Sequence, residues 1–296
     1  MIRIAGITSM ATRQILADLA EHYERRSGCQ VAFTSIGGVE AERRLRTGEV
    51  VDVVVLASKV MKRLEAEGCI MPGSCKDFAA SGMAVAVRSG TERPSIGDEA
   101  AVKDATLSAR AICYSTGPSG DHLKKLWERW GIADSISQRA IQAPPGVPVG
   151  TVLGRGEADL GFQQLSELLH LPNIDVLGPL PLEIQSTTIF TAGVGSASKL
   201  PGAARALVGY LTSPEAEATN ANTAWHPLSD SAVYRADDAH PYPQLRQLPP
   251  RMNSLVLSRT CRRSAGAAAT ADIQPERYPQ ISCRRNGRCS RSLAAG

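Results

Sequence analysis

Four times in its first 120 residues the chain runs an apolar stretch into a cluster of hydroxyl and glycine residues, and from there directly into a helical pattern. The four are Ile4 to Ile7 into Thr8-Ser9, Val31 to Phe33 into Thr34-Ser35-Ile36-Gly37-Gly38, Val53 to Leu56 into Ala57-Ser58, and Ile112 to Tyr114 into Ser115-Thr116-Gly117-Pro118-Ser119-Gly120. Each reads as a strand end feeding a helix N-terminus, where unpaired N–H groups and the positive end of the helix dipole favour an anion. None of the four clusters contains a lysine or arginine. The expectation is a small anion held by neutral donors.

The alternation continues along the chain. Strands are expected at 2–7, 30–34 and 52–56, with helices at 10–26, 38–47 and 58–67; the apolar positions Ile15, Leu16, Leu19 and Tyr23 share one helical face. Strands alternating with helices of this length define parallel βαβ units. An apolar run at 83–87 precedes a helix at 98–108. A second α/β region follows, with strands at 110–114, 138–142, 158–162 and 174–177 and helices at 119–130 and 163–169, plus a short helix opening near Pro148. A β-rich run at Thr187 to Val194 then leads to helices at 201–212 and 214–222. The runs at 83–87 and 187–194 bracket one α/β region, so the chain leaves a first lobe, builds a second and returns. Lobe 1 is expected at 1–82 and 190–229 and lobe 2 at 83–189, with the ligand in the cleft at the carboxyl ends of the strands.

Only 4 % of the 296 residues are aromatic, so Ala, Val, Leu and Ile must fill the core, as in buried parallel strands. The net charge of +4 conceals an asymmetry. Residues 1–230 hold 22 Lys and Arg against 25 Asp and Glu, and residues 231–296 hold 11 against 4, every base there an arginine. The body is therefore mildly acidic, and nothing in it suggests a nucleic-acid surface. The segment 230–296, with its prolines, Ala-rich patch and arginine/serine/cysteine mixture, shows no sustained period and is expected to be a disordered or aberrant tail of the kind a shifted reading frame in GC-rich DNA produces.

The seven cysteines show no CxxC spacing and no histidine at metal-ligand distance, and their odd number argues for free thiols, although Cys69 and Cys75 flank a Pro-Gly turn. No P-loop, Ser-His-Asp or metal-ligand pattern is present, so neither a cofactor nor a metal is expected. The first residues, Met1-Ile2-Arg3-Ile4, enter a strand at once without the features of an export signal or a membrane span.

Three stretches carry a family resemblance over about residues 1–229: Gly48-Glu49-Val50-Val51-Asp52-Val53-Val54, Tyr114 to Gly120, and Gly156-Glu157-Ala158-Asp159-Leu160-Gly161-Phe162-Gln163-Gln164-Leu165-Ser166-Glu167-Leu168. With the order of elements, they resemble the type 2 periplasmic substrate-binding proteins, and within these the molybdate-binding branch. The resemblance implies an α/β fold of two lobes, each a mostly parallel sheet flanked by helices, joined by two hinge strands. It implies a monomer that binds a small oxyanion or organic acid and serves the membrane component of an ABC transporter. It also implies a periplasmic location; since the chain as written carries no export signal, either its true start lies upstream or it stays in the cytoplasm. Carried over by position, the ligand donors are Thr8, Ser9, Ser35, Gly37 and Ser58 from one lobe, and Ser115, Thr116, Ser119, Gly120 and the backbone at Val149 to Thr151, including Gly150, from the other.

Gln163-Gln164 departs from that pattern, because molybdate binders of the family carry a tyrosine or another non-amide residue in this turn. The amide pair resembles a sub-branch that includes aconitate isomerases, enzymes that shift a double bond in a tricarboxylate. Paired amides suit carboxylate oxygens, since each NH2 offers two donors. Such a reaction needs a base beside one carboxylate and an acid two carbons away. His122 and Glu167, and after them Asp121, are the candidates. A solute receptor and a carboxylate isomerase therefore both remain open at this stage; a DNA-linked sensor would need a helix-turn-helix segment, which is absent from the sequence.

Overall fold

The computed structural model describes residues 1–169 and 171–216; the expected tail at 230–296 and most of the expected helix at 214–222 lie outside them. In chain order the strands are β1 (Arg3–Ser9), β2 (Gln30–Ile36), β3 (Val53–Ala57), β4 (Lys76–Arg88), β5 (Ile112–Tyr114), β6 (Ala140–Gln142), β7 (Leu160–Gln164), β8 (Ile174–Pro179) and β9 (Thr187–Val194). The helices are α1 (Arg13–Ser27), α2 (Gly38–Arg46), α3 (Ser58–Ala66), α4 (Glu99–Ser108), α5 (Pro118–Arg129), α6 (Ala133–Ile136), α7 (Val149–Gly154), α8 (Leu165–Leu168) and α9 (Pro201–Leu211).

The strand order is β2-β1-β3-β9-β4-β7-β5-β6, with β8 also paired to β4. β1 runs parallel to β2 and β3, and β5 runs parallel to β6 and β7. These are the two βαβ halves that the alternation requires. They meet only through β4 and β9, which lie antiparallel to each other and to their other neighbours. The first half of β4 pairs with β9 and the second half with β7 and β8, so one strand serves both sheets.

Apolar packing divides at the same strands. Ile4, Ile15, Leu16 and Leu19 pack with Phe190, Leu207 and Leu211 on one face of the first sheet, and Ile7, Val54, Leu56, Met61 and Leu64 pack on its other face. The second sheet has its own two layers, one around Val85, Leu123, Trp127 and Phe162 and the other around Ala84, Cys113, Val149, Leu153 and Leu165. Two lobes, each a sheet covered by helices on both faces, are joined by the two shared strands.

The sequence motifs staple the strands that carry the cleft. Asp52, at the end of the first Gly-Glu motif, accepts the Ala5 N–H of β1 at 2.9 Å and the Ser198 hydroxyl at 2.7 Å. Asp159, in the second motif, does the equivalent in the other lobe. It accepts the Arg110 N–H just before β5 at 3.1 Å and the Arg110 guanidinium at 2.6 Å, which holds its carboxyl below the usual range.

Several elements differ from the sequence expectation. β4 begins at Lys76, well before the apolar run at 83–87, because Lys76 to Gly82 is polar and small yet gains a partner strand in β9. The first helix is preceded by a 3-10 turn at Met10–Thr12. α6 and a following 3-10 turn at Ser137–Arg139 replace the beginning of the expected strand at 138–142. Most consequential, Gln163 and Gln164 are the last residues of β7 rather than the first turn of a helix, and α8 is a single turn. The four described cysteines, Cys29, Cys69, Cys75 and Cys113, are free thiols. Burial pushes the Cys113 thiol up to about 12, which makes it an inert packing residue.

Candidate functional site

The carboxyl ends of β1, β3, β5 and β7 converge on one cavity of about 680 Å³ between the lobes. Ser9, Gly37, Gly38 and Ser58 line it from the first lobe; Ser115, Thr116, Gly117, Ser119, His122, Gln163, Gln164 and Glu167 line it from the second, and Thr187 to Phe190 of β9 also contribute.

Three helix starts face this cavity. α2, α3 and α5 open on it behind Gly37, Ala57 and Gly117, and none of these three positions supplies a side-chain cap. By contrast, α4, whose residues do not line the cavity, is capped by Asp98, which accepts the Ala101 N–H at 2.7 Å. A first turn left uncapped keeps N–H groups free for a ligand, with the helix dipole behind them. Glycine has a specific reason at two positions of the α5 entry. Gly117 sits at φ +86°, in the left-handed region, and a Cβ on Gly120 would lie 1.9 Å from the Ser115 carbonyl oxygen. Gly120 therefore lets α5 approach β5 closely enough for the Ser115 and Ser119 hydroxyls to bond at 2.6 Å on the cavity wall.

The floor holds an ordered chain of polar groups. The Val149 N–H donates to Gln163 Oε1 at 2.8 Å, and because an N–H can only donate, this fixes the amide. Gln163 Nε2 therefore points at Glu167, donating to its Oε2 at 2.6 Å. Desolvation in the inter-lobe floor pushes the Glu167 carboxyl from 4.5 up to about 7, and the Gln163 bond partly opposes this by favouring the ionised form. Gln164 Nε2 donates to the Thr188 hydroxyl on the hinge strand at 2.9 Å, while its buried Oε1 has no protein partner. His122 Nε2 donates to the Ile184 carbonyl at 2.9 Å, since a carbonyl can only accept; in the neutral ring Nδ1 is then the acceptor.

Ser9, Gly37, Ser58, Ser115, Thr116, Ser119, His122, Asp121, Gln163, Gln164 and Glu167 are thus brought to one cavity, while five other candidates are not. Thr8 is fully buried, bonding to Thr12 and to the Val55 carbonyl at 3.1 Å. Ser35 sits beside Thr8 in the β1–β2 register. Gly120 serves the close approach described above. Val149 and Gly150 face inward: the Val149 N–H is consumed by Gln163, and a Cβ on Gly150 would meet Leu171 at 2.6 Å.

Four cations that the clusters do not contain also line the cavity: Lys59, Lys62 and Arg63 from α3, and Lys125 from α5. Helical side chains tilt toward the N-terminus, so a long side chain one or two turns into a helix reaches back over the helix start. The spacing could have shown this. Ser58 and Lys62 are four apart, and Pro118, Asp121, His122 and Lys125 follow the i, i+3, i+4, i+7 pattern of one helix face. Among the described residues, no group of three His, Cys, Asp or Glu is placed to hold a metal ion.

A two-lobed α/β protein with a large cavity between its lobes, lined by hydroxyls and open helix starts, is a solute-binding scaffold. Residues 4–223 match the profile of the bacterial extracellular solute-binding proteins, and the chain belongs to that family. It is similar to an aconitate isomerase from a Pseudomonas species, with 36 % identity over 207 residues, covering 68 % of this chain and 79 % of that protein. Among solved structures it resembles the periplasmic molybdate-binding protein of Azotobacter vinelandii (TM-score 0.62, 20 % identity, 73 % of this chain and 95 % of that one). It likewise resembles the tungstate ABC transporter protein of Geobacter sulfurreducens (TM-score 0.59, 18 % identity, 75 % and 98 %). At these identities the structural likeness establishes the shared fold.

Proposed function

We propose that the cleft binds a polycarboxylate and that the protein is an isomerase of the aconitate-isomerase type, moving a carbon–carbon double bond by a proton shift. The observation that carries this reading is Glu167, a cleft-facing carboxyl whose pKa is pushed to about 7 and whose oxygen is aimed by an orientation-locked Gln163. A receptor for a tetrahedral oxyanion has no use for such a group, because an ionising carboxylate repels the ligand. A proton-shifting enzyme needs one, since a base is most effective with a pKa near the working pH. The 36 % identity to an aconitate isomerase supports the same reaction class.

In the proposed reaction, Glu167 accepts a proton from the CH2 group that lies between a carboxylate and the double-bonded carbon. The electron pair left behind spreads over the allylic system and onto the flanking carboxylate. A proton then returns to the carbon two positions away, and the double bond ends one carbon along, with no atom gained or lost. Glu167, its carboxyl pushed up to about 7, serves as both acceptor and donor of that proton. The developing negative charge is met by the Ser115–Ser119 hydroxyl pair and the uncapped starts of α2, α3 and α5, fixed dipoles already oriented before the reaction.

Incubating the purified full chain with trans-aconitate and following the products by chromatography tests this function. The expected outcome is accumulation of cis-aconitate to a constant ratio. Tight binding of molybdate or tungstate, with trans-aconitate left unchanged, would instead establish a receptor that releases its anion intact.

A further inference from the structure

The sequence places a net of −3 on residues 1–230, the difference between 22 basic and 25 acidic side chains, so the body as a whole repels a polyanion. The cavity lining reverses that balance. Of its acids, Glu42 is held by Arg63 at 2.7 Å and by Arg46 at 3.0 Å, and Asp121 is held by Lys124 at 3.3 Å. Burial disfavours the ionised form of Glu167, pushing its carboxyl up to about 7. Lys59, Lys62 and Lys125 line the same cavity, and none of them forms an ion pair or hydrogen bond with another described residue. Three uncompensated ammonium groups therefore remain, two from the first lobe and one from the second.

A second observation also points to a ligand. Gln164 is only 4 % exposed, and its Oε1 is an unpartnered buried atom at the cavity floor. The Thr188 hydroxyl both donates and accepts, so either end of the Gln164 amide can satisfy it, leaving the other end for a ligand. A buried polar group without a partner is costly, and a bound molecule removes that cost.

We propose that Lys59, Lys62 and Lys125 are specificity-determining residues that select a tricarboxylate over dicarboxylates and tetrahedral oxyanions. This rests on the polycarboxylate reading given above and adds what discriminates among anions. Two lysines stand on one wall and one on the other, so a ligand with three separated charges can meet all of them at once. A dicarboxylate leaves one ammonium unmatched. A compact tetrahedral oxyanion concentrates its charge in one place and does not match three ammonium groups spread over two walls. Selection by charge count also suits an allylic tricarboxylate, whose reacting carbons lie between the groups that the lysines hold.

The test uses two unreactive probes that differ by one group: propane-1,2,3-tricarboxylate and glutarate, its analogue without the central carboxylate. Calorimetric titration of the full chain at low ionic strength is expected to show the tricarboxylate binding about tenfold or more tightly, with the gap closing as salt shortens the screening length to about 3 Å at 1 M. Lys125→Gln, Lys62→Gln and Lys59→Gln are each expected to weaken the tricarboxylate about three- to tenfold and glutarate less than about twofold, as for partly screened surface charges. Lys→Arg at the same positions should retain most of the preference. Tight tricarboxylate binding that is unchanged in all three Gln variants, or lost equally for both probes, would overturn the lysine assignment while leaving the isomerase reading standing. Failure of both carboxylates to bind, with molybdate binding independently of the lysines, would overturn both.

Discussion

The two walls of the cleft are built alike and equipped differently. Each offers hydroxyls and uncapped helix starts at the carboxyl ends of parallel strands. On the first-lobe wall, the functional groups are donors and cations: Ser9, Ser58, Lys59, Lys62 and the openings of α2 and α3, while its one acid, Glu42, is tied to two arginines. The second-lobe wall adds every group able to accept and return a proton, with Glu167 on its Gln163 support and His122 on the Ile184 carbonyl. The same strand-to-helix plan is thus used once to anchor an anion and once to act on it. The difference lies in a few side chains at the end of β7, in the short helix that follows, and in the first turns of α5.

That division can be broken most sharply at Glu167. Glu167→Gln keeps the shape and removes the base, so turnover of trans-aconitate is expected to fall by about 10²- to 10⁴-fold. Affinity for propane-1,2,3-tricarboxylate should stay within about threefold, because anchoring belongs mainly to the other groups. Equal losses in binding and turnover would erase the distinction between the walls. Gln163→Leu comes next. It deletes the hydrogen bond that favours ionised Glu167, so the pH at which activity rises should move upward. It also strands the Val149 N–H, with a stability loss of about 1–3 kcal/mol seen in denaturant titration. An unchanged pH profile would reduce Gln163 to a packing residue.

The smallest effect is thermodynamic. The folded-state pKa of Glu167 is raised above its ordinary 4.5, so folding stability associated with the protonated carboxyl is fully present below about 4.5 and is lost as pH rises through about 7. Glu167→Gln lacks this loss. The variant should therefore gain on the wild type between pH 5 and 8, by on the order of 1–3 kcal/mol in chemical unfolding. A difference that is constant across that range would place the carboxyl in ordinary solvent.

The strand ends were readable in the sequence because physics puts the same residues there whatever the ligand: β-branched runs fill a two-sided sheet, and Ser, Thr and Gly permit the turn into a helix. Ser9, Ser58, Ser115 and Ser119 could be named from this logic alone; His122 and Glu167 became candidate acids and bases only through the reaction that the family resemblance implies. Thr8 and Ser35 belong to the same clusters, but strand pleating turns alternate side chains away from a surface, and proximity in sequence does not record that alternation. The first half of β4 was hidden because its partner, β9, lies more than a hundred residues away and supplies the pairing that Lys76 to Gly82 cannot advertise locally. Val149 and Gly150 are donors by sequence position but not in the fold, because the Val149 N–H is claimed by Gln163, a contact between elements. The lysines escaped attention for a different reason. They lie inside the helices rather than in the turns, and only the tilt of helical side chains brings them back over the cleft.

The most direct test of the central claim, that Glu167 moves a proton within an anion-holding cleft, is the pH dependence of kcat/KM for trans-aconitate, followed by proton NMR with the full chain. Conversion to cis-aconitate whose rate climbs through about pH 7 to a plateau, and which Glu167→Gln lowers about 10²- to 10⁴-fold, is the predicted result. A saturable complex with trans-aconitate whose spectrum never changes, or conversion that persists undiminished in Glu167→Gln, would contradict it.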